Sequence, residues 1–558
     1  MSLPSAAGGL AWLAANAGGY RRFRSALADP ARAQAGVLHQ LVRRNAATAF
    51  GRLHRFDAIR SAEDFGRRVP LTSYADYEPF IDRIAAGEEG VLTRSRVTVL
   101  EPTGGSTSGE KLIPCTRDLQ RAFRRAVAPW VCDLYLRRPH LALGPGYWSI
   151  SPVATRTARP GCRIRVGFEV DGEYLGGPLR RIVDATLAVP SAVRLIPSIP
   201  AFRYVTLLFL LRCSELRLVS VWHPSFLSLL LEALNEHWDD LVQDLDRGTL
   251  SPPVPIPPEV AHLLHAGLRP LPRRARALGG LGPRDLASIW PRLGLISCWG
   301  DGHAAIALDG IRRQFPGVEI QPKGLMATEA FVTLPFAGRM PLAIRSHFFE
   351  FLSGGRSYLA HEIEAGGVYS VVVTTGGGLY RYRLEDRVEV TGFLARTPCL
   401  RFLGKEDHVS DLCGEKLCEA FVGAALAGVF RELRCAPRFA MLAPDLADGS
   451  PGYTLYLDDP SDPPALLGRR LHERLEENPQ YRYGAALGQL APVRVFQIAC
   501  DAQAAYLKHC VATGHRLGNV KPLSLSRHPG WSEVFTGRYV PAGGMSDNAP
   551  ASASAAQG

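Results

Sequence analysis

The stretch EPTGGSTSGEKLIP, from Glu101 to Pro114, decides how the chain is read. It follows the short β-branched run Val97 to Leu100, so a strand is expected to open into a polar glycine loop, the layout of a ligand turn. Thr103 to Lys111 combine backbone freedom at Gly104, Gly105 and Gly109 with the consecutive hydroxyls of Ser106, Thr107 and Ser108 and one cation, a set suited to wrapping phosphates. The P-loop pattern GxxxxGK[ST] does not fit: Glu110 separates Gly109 from Lys111, and Leu112 stands where a metal-binding hydroxyl would be. A nucleophile elbow does not fit either, because neither Ser106 nor Ser108 has a glycine two residues away on both sides. Loops of this composition also occur as plain structural turns.

Upstream of the loop, residues 38–90 read as helix and turn, punctuated by Gly51, Pro70 and Pro79. Downstream, Phe226, Leu229, Leu230, Ala233, Leu234, Trp238, Leu241, Val242 and Leu245 form a helical stripe closed by Gly248, a core scaffold. The prolines between Pro252 and Pro258 read as a rigid loop within one domain, since helix-like sequence resumes at Glu259. Val368 to Thr375 is β-branched, three glycines follow, and Leu379 to Leu384 alternates Tyr380 and Tyr382 with Arg381 and Arg383. A hairpin ending at Asp386 is expected. After Phe402 come a helix over about 415–429, strands near 439–442 and 453–457, a helix near 465–477 and a strand at 493–498, a compact α+β unit. The tail from Ala542 is small and polar, and disorder is expected there.

The 558 residues are 46% hydrophobic and 21% charged with mean hydropathy near zero, which excludes disordered, collagenous and coiled-coil chains. The formal charge of +11 comes almost entirely from Arg spread along the chain, so nucleic-acid binding is not favoured. Eleven cysteines without a CxxC pair argue against a disulfide framework or zinc site and for reduced thiols. The apolar N-terminal run precedes its basic cluster Arg21, Arg22 and Arg24, opposite to a signal peptide. The run Tyr204 to Leu211 is far short of the roughly 20 residues a membrane span needs. A soluble, cytoplasmic protein is expected.

Four further elements could carry chemistry. Ala327, Thr328 and Glu329 follow an apparent strand holding Val318 and Ile320, so that the hydroxyl and carboxylate are expected to project from a strand end, and a carboxylate there could hold magnesium on phosphate oxygens. By itself Glu329 reads as a solvated surface acid. Asp386 could accept hydrogen bonds from a ribose diol, the turn Gly404 to Asp407 is charged, and Lys521 sits in GNVKP near the end of the folded chain. Lys111, Lys405, Lys416 and Lys521 fall in or beside these elements although the chain writes nearly every other cation as Arg, and a compact ammonium acts as a mobile point charge on phosphate. His361 and Glu362 begin an HExxH pattern that Ala365 breaks.

In order, these elements resemble the motifs of adenylate-forming enzymes, and specifically the auxin-responsive acyl-acid amido synthetase (Gretchen Hagen) family in its bacterial form. The resemblance rests on NAATAFG (45–51), SAEDFGRRVPLTSYADYEPFIDRI (61–84), EPTGGSTSGEKLIP (101–114), YWSISP (147–152), KGLMATEAF (323–331), HFFEF (347–351), LYRYRLEDRVEVTGF (379–393) and FLGKEDHVSDLCGEKL (402–417). It covers about residues 35–540. It implies an α/β fold of the adenylate-forming (acyl-CoA synthetase/luciferase-like) superfamily. An N-terminal body (1–403) with helix-flanked sheets would bind ATP and acyl acid, followed by a small mobile α+β C-terminal domain (404–541) and a disordered tail (542–558).

The implied reaction is ATP-dependent: a carboxylic acid becomes an acyl-adenylate, and an amine or amino acid then takes the acyl group as an amide, releasing AMP and pyrophosphate. ATP and Mg2+ are the implied cofactors. Ser106, Thr107, Ser108 and Gly109 would cradle phosphate with Lys111 adding charge. Thr328 would contact phosphate and Glu329 magnesium, Asp386 the ribose, and Lys405 would replace the ribose- or hinge-contacting Arg. Asp407 would mark the hinge, and Lys521 would reach carboxylate and phosphate as the catalytic cation. The chain departs from the plant pattern at Leu325 and Met326, where an aromatic residue packs on adenine, and at Lys405. The acyl pocket is expected between about Tyr147 and Leu234. Thioester formation on coenzyme A or a carrier protein, and a non-catalytic nucleotide-binding homologue, are the alternatives. No nucleic-acid or membrane partner is implied, and a monomer or weak dimer is expected.

Overall fold

The computed structural model describes residues 3–104, 110–148, 161–167, 186–265, 267–301, 304–406, 409–410, 412, 415, 417–445, 451–459, 466–486, 490–513 and 522–540. The expected tail, 542–558, lies outside them. Contacts in space between backbone positions divide the chain into two compact units, Met1–Asp407 with Cys510–Lys521, and His408–His509 with Pro522–Gly558.

In the first unit a parallel sheet runs in the order Gly146–Trp148, Leu218–Ser220, Leu295–Trp299, Glu319–Lys323. Leu295 to Cys298 are all buried, as in a strand covered on both faces. Tyr147, Val219, Ile296 and Cys298 pack under helix Ile199–Arg212, whose leucines are buried all round. That helix has 14 residues, and no described helix is long and apolar enough to cross a membrane. On the other face Leu218 and Leu295 meet Trp12 of the N-terminal helix Leu3–Ala26 and Val131 and Leu134 of helix Arg117–Arg137. The stripe ending at Gly248 is two helices, Pro224–Glu236 and Trp238–Arg247, interrupted at His237. Gly248 closes the second with φ +70°, where a Cβ would be strained.

An antiparallel sheet of five strands has the order Thr397–Lys405, Tyr382–Leu394, Val368–Thr374, Phe348–Ser353, Arg356–Leu359. The expected hairpin forms, but its second strand continues to Leu394 instead of ending at Asp386. The Tyr/Arg alternation also fails, because Arg381 has φ +49° and turns inward. Its guanidinium grips Glu350 (Nη2 to Oε1, 2.9 Å) and donates from Nη1 to the carbonyls of Gly66 (3.0 Å) and Val69 (2.8 Å). Tyr77 Oη donates to Tyr380 O (2.8 Å), so residues 66–77 are fastened to the sheet that carries the site.

The second unit has a sheet ordered Phe439–Asp445, Gly452–Asp458, Arg494–Ile498, Gly537–Tyr539, with helices Glu419–Glu432 and Leu467–Leu475 packing Val422, Leu426, Leu467 and Leu471 against Leu455 and Leu457. Its helices and strands fall within a few residues of the sequence expectation. The ten described cysteines are free thiols.

Candidate active site

The Thr328–Glu329 pair is built by a tight reversal of the chain. After strand Glu319–Lys323, Gly324 passes so near Thr333 that a Cβ there would lie 2.3 Å from its carbonyl oxygen, and Leu325 N donates to Thr333 Oγ1 at 2.7 Å. Met326 bridges Phe331, and Ala327 N donates to Ala330 O at 2.9 Å. Thr328 and Glu329 are therefore the two central residues of a hairpin turn, not a strand end. The turn is held from beneath: Phe331 N donates to His347 Nε2 (3.2 Å), and Ser346 Oγ donates to Phe331 O (3.1 Å). Glu329 is 8% exposed, so reading it alone as a solvated acid is wrong. Burial pushes its carboxyl pKa up, Lys405 and Lys111 pull it down, and Asp386 pushes it up again.

Asp386 reaches the same place through a β-bulge. The register of Val368–Thr374 on Tyr382–Leu394 shifts between Val372/Arg383 and Ser370/Arg387, and Glu385 takes φ +61°. The bulge turns the Leu384 carbonyl and the Asp386 carboxylate towards Lys405, which lies opposite Asp386 on the neighbouring strand. Lys405 Nζ is 2.8 Å from Asp386 Oδ1 and donates to Leu384 O at 2.8 Å. Asp386 is 2% exposed, whereas the Lys405 side chain is 38% exposed. Glu406 Oε1 accepts from Ser370 Oγ, fixing the start of the charged turn.

Lys111 lies opposite Thr103 on the antiparallel strands Val97–Gly104 and Glu110–Thr116, with Gly104 opposite Glu110. Its Nζ is 5.9 Å from the Tyr74 ring centroid, and Tyr74 Oη accepts from Leu112 N (2.6 Å). Tyr382 is buried where Glu329, Asp386 and Tyr74 all act on its hydroxyl; burial first, then the acids, raise its pKa. The structure thus gathers Lys111, Thr328, Glu329, Asp386 and Lys405. Ser106, Thr107, Ser108, Gly109, Asp407 and Lys521 lie outside the described residues. Tyr74, Tyr382 and His347 were missed as site residues. They sit inside quoted motifs, but nothing local distinguishes them from core aromatics.

Two acids facing two ammoniums leave the cluster near neutrality, ready for a polyanion that brings its own cation. Among the described residues no three His, Cys, Asp or Glu side chains form a metal cage. The buried Glu329 carboxylate fits Mg2+, which is usually held by one or two carboxylates plus substrate phosphates.

The chain was compared with known proteins. Residues 19–320 match the GH3 family N-terminal domain and residues 340–405 the GH3 family central domain. It is 26% identical over 421 residues to indole-3-acetic acid-amido synthetase GH3.8 of Oryza sativa subsp. indica, covering 69% of this chain and 68% of the relative. It is 25% identical over 441 residues to indole-3-acetic acid-amido synthetase GH3.4 of Arabidopsis thaliana, covering 73% and 72%. Its fold is that of the solved GH3.15 acyl acid amido synthetase, with a TM-score of 0.80 at 20% identity over 90% of this chain and 92% of that one. A second structure, AtGH3.15 acyl acid amido synthetase in complex with 2,4-DB, gives 0.80 at 20% identity over 93% and 95%. With the N-terminal domain pattern alone spanning more than half of its residues, the chain belongs to the GH3 family.

Proposed function

We propose that this protein is an AMP-forming ligase, an acyl-acid amido synthetase that activates a carboxylic acid with ATP and passes the acyl group to an amine or amino acid. The observation that carries this is the buried Glu329 at a turn tip, facing the Asp386–Lys405 pair with Lys111 in electrostatic reach. An anionic carboxylate must approach the α-phosphorus of a polyanion, and the chief requirement is preorganised charge neutralisation. Lys111 and Lys405 supply positive charge, Thr328 donates its hydroxyl to phosphate, and Asp386, oriented by Lys405, accepts from the ribose. Glu329 would hold Mg2+, which would supply charge to offset the phosphate oxygens. Ser106, Thr107, Ser108 and Gly109 line the phosphate loop in this reading. Asp407 is the hinge of a C-terminal domain beginning at 404, and Lys521 bridges carboxylate and phosphate.

The second step needs no protein nucleophile, since a bound amine beside the adenylate gains much of its acceleration from proximity. The names of the relatives favour the amide over the thioester acceptor. The test is carboxylate-dependent ATP/pyrophosphate exchange, followed by product analysis with amino acids or coenzyme A as acceptor. Exchange lost in Glu329→Gln and Lys521→Ala, with amide as product, is expected. ATP binding without exchange for any acid would leave a nucleotide binder, and thioester product would replace the amide reading.

A further inference from the structure

Arginines from four separate elements gather around a single carboxylate beside the segment Ser346–His347, which holds the Thr328–Glu329 turn from beneath. Asp118, Arg121 and Arg125 are spaced three and four residues apart on helix Arg117–Arg137, so they share one face. Asp118 accepts from Arg121 Nη1 through Oδ1 (2.7 Å) and pairs with Arg44 Nε through Oδ2 (3.0 Å), so both of its oxygens are engaged. Arg22 comes from the N-terminal helix Leu3–Ala26, its Nε donating to Gly18 O at 3.0 Å. Arg345 stands in a turn closed by Ser346 N, which donates to Ala343 O at 2.8 Å. Gln34 of helix Pro30–Asn45 fixes that turn: Nε2 donates to the carbonyls of Ile344 (2.7 Å) and His347 (2.8 Å), and Oε1 accepts from Phe349 N (2.8 Å).

Charge in this group does not balance. Arg125 and Arg345 are both half-buried, and among the described residues neither guanidinium makes a hydrogen bond or an ion pair. Burial lowers the pKa of Arg125; Asp118 opposes this, and Arg121 and Arg22 add to it. Burial likewise lowers that of Arg345, with Arg125 and Arg22 acting in the same direction. Each guanidinium carries five N–H donors and no acceptor, and like charges partly withdrawn from water disfavour one another. Five cations therefore share one carboxylate that two of them already occupy. The charges that act on Glu329 are different ones, Lys405, Asp386 and Lys111. Phe123 faces Phe331 and His347, with ring centroids 6.1 and 5.8 Å away, and so stands on the core side of the helix that bears Arg125.

We propose that Arg125 and Arg345, flanked by Arg22, form a second anion site that takes a phosphoryl group, free or on a small molecule, and that the bound anion ties helix Arg117–Arg137 to the turn at 343–346. The site is independent of the ligase reading. A guanidinium fork meets oxyanions through paired N–H donors, which suits arginine to phosphate. Two forks reaching in from different elements need more acceptor oxygens than a carboxylate offers once one fork has taken both of its own, whereas a tetrahedral phosphoryl group has a third. Its double negative charge also answers two cations, where a single carboxylate answers one. The turn that carries Arg345 is held by Gln34 whether or not an anion is present, so this half of the site is set before binding.

The experiment is thermal unfolding of the full chain followed by tryptophan fluorescence, without ATP or magnesium, in chloride, inorganic phosphate or glycerol 3-phosphate at equal ionic strength, so that general screening cancels. A midpoint higher by roughly 2 °C or more in phosphate than in chloride is expected when the site is saturated. A rise with both phosphates supports a site open to phosphorylated small molecules, and a rise with inorganic phosphate alone supports one for the free ion. Arg125→Met and Arg345→Met each remove one of the repelling cations. In chloride they should be at least as stable as wild type, and their phosphate response should fall by at least about half. The double variant Lys111→Met/Lys405→Met lacks the charges assigned to ATP and should keep the response. A response lost in that variant and kept in Arg125→Met and Arg345→Met would put the phosphate at the nucleotide charges and overturn the proposal, as would no rise in wild type. Amide hydrogen exchange of wild type gives a second readout: phosphate should slow exchange at 343–349, and unchanged exchange there would also overturn the site.

Discussion

Acidification should destabilise this protein through His347, and by an amount that can be worked out. His347 is fully buried; its Nε2 accepts the Phe331 N–H, which fixes the neutral ring, and no described residue bonds Nδ1. Burial, with a smaller contribution from Arg125, pushes its pKa down to about 3, against about 6.5 in an unfolded chain. Between these values the unfolded state binds the extra proton, so stability rises with pH: the contribution is fully present above about 6.5 and is lost as pH falls towards 3. At 1.36 kcal/mol per pH unit of separation the limit is about 5 kcal/mol, of which about 2 kcal/mol is lost by pH 5. His347→Gln keeps an acceptor for Phe331 N–H and cannot titrate in this range. Urea unfolding followed by tryptophan fluorescence at pH 7 and pH 5 should show wild type losing about 2 kcal/mol more than the variant, which should be less stable at pH 7. Because Phe331 closes the turn bearing Thr328 and Glu329, exchange activity should fall over the same acid range. Parallel pH dependence in the two proteins would refute the reasoning.

Lys405→Met removes the charge that most strongly lowers the Glu329 pKa, so the acid limb of the pH–rate profile for exchange should move to higher pH; an unmoved limb would separate the two residues. Arg381→Met leaves the Glu350 carboxylate buried without its bidentate partner and should cost about 3–5 kcal/mol, read by unfolding, with Arg381→Met/Glu350→Leu recovering part of the loss. Gly324→Ala places a methyl 2.3 Å from Thr333 O. It should abolish exchange while circular dichroism stays native, since the displacement falls on the turn rather than the sheet.

Much of the scaffold was legible because its signals are local. The stripe to Gly248, the β-branched run Val368–Thr374 and the strands and helices after Phe402 are set by periodicity, propensity and caps within a few residues. The exceptions are equally physical. Arg381 breaks the Tyr/Arg alternation because a buried Glu350 and two carbonyls some 30 to 315 positions away outweigh strand pattern. Asp386 sits mid-strand because a bulge at Glu385, invisible to a period-two reading, keeps the ladder going.

By itself the sequence determined the order of the motifs, the kind of elements that carry them and, through their combination, the family. Only the tertiary structure decided that Glu329 is buried rather than solvated, that Lys405 answers Asp386 across a strand pair, and that Arg125 and Arg345 come together. Motif identity is a property of neighbours in the chain. Burial and charge pairing depend on which distant segments pack together, and for Arg125 and Arg345 those segments lie more than 200 residues apart.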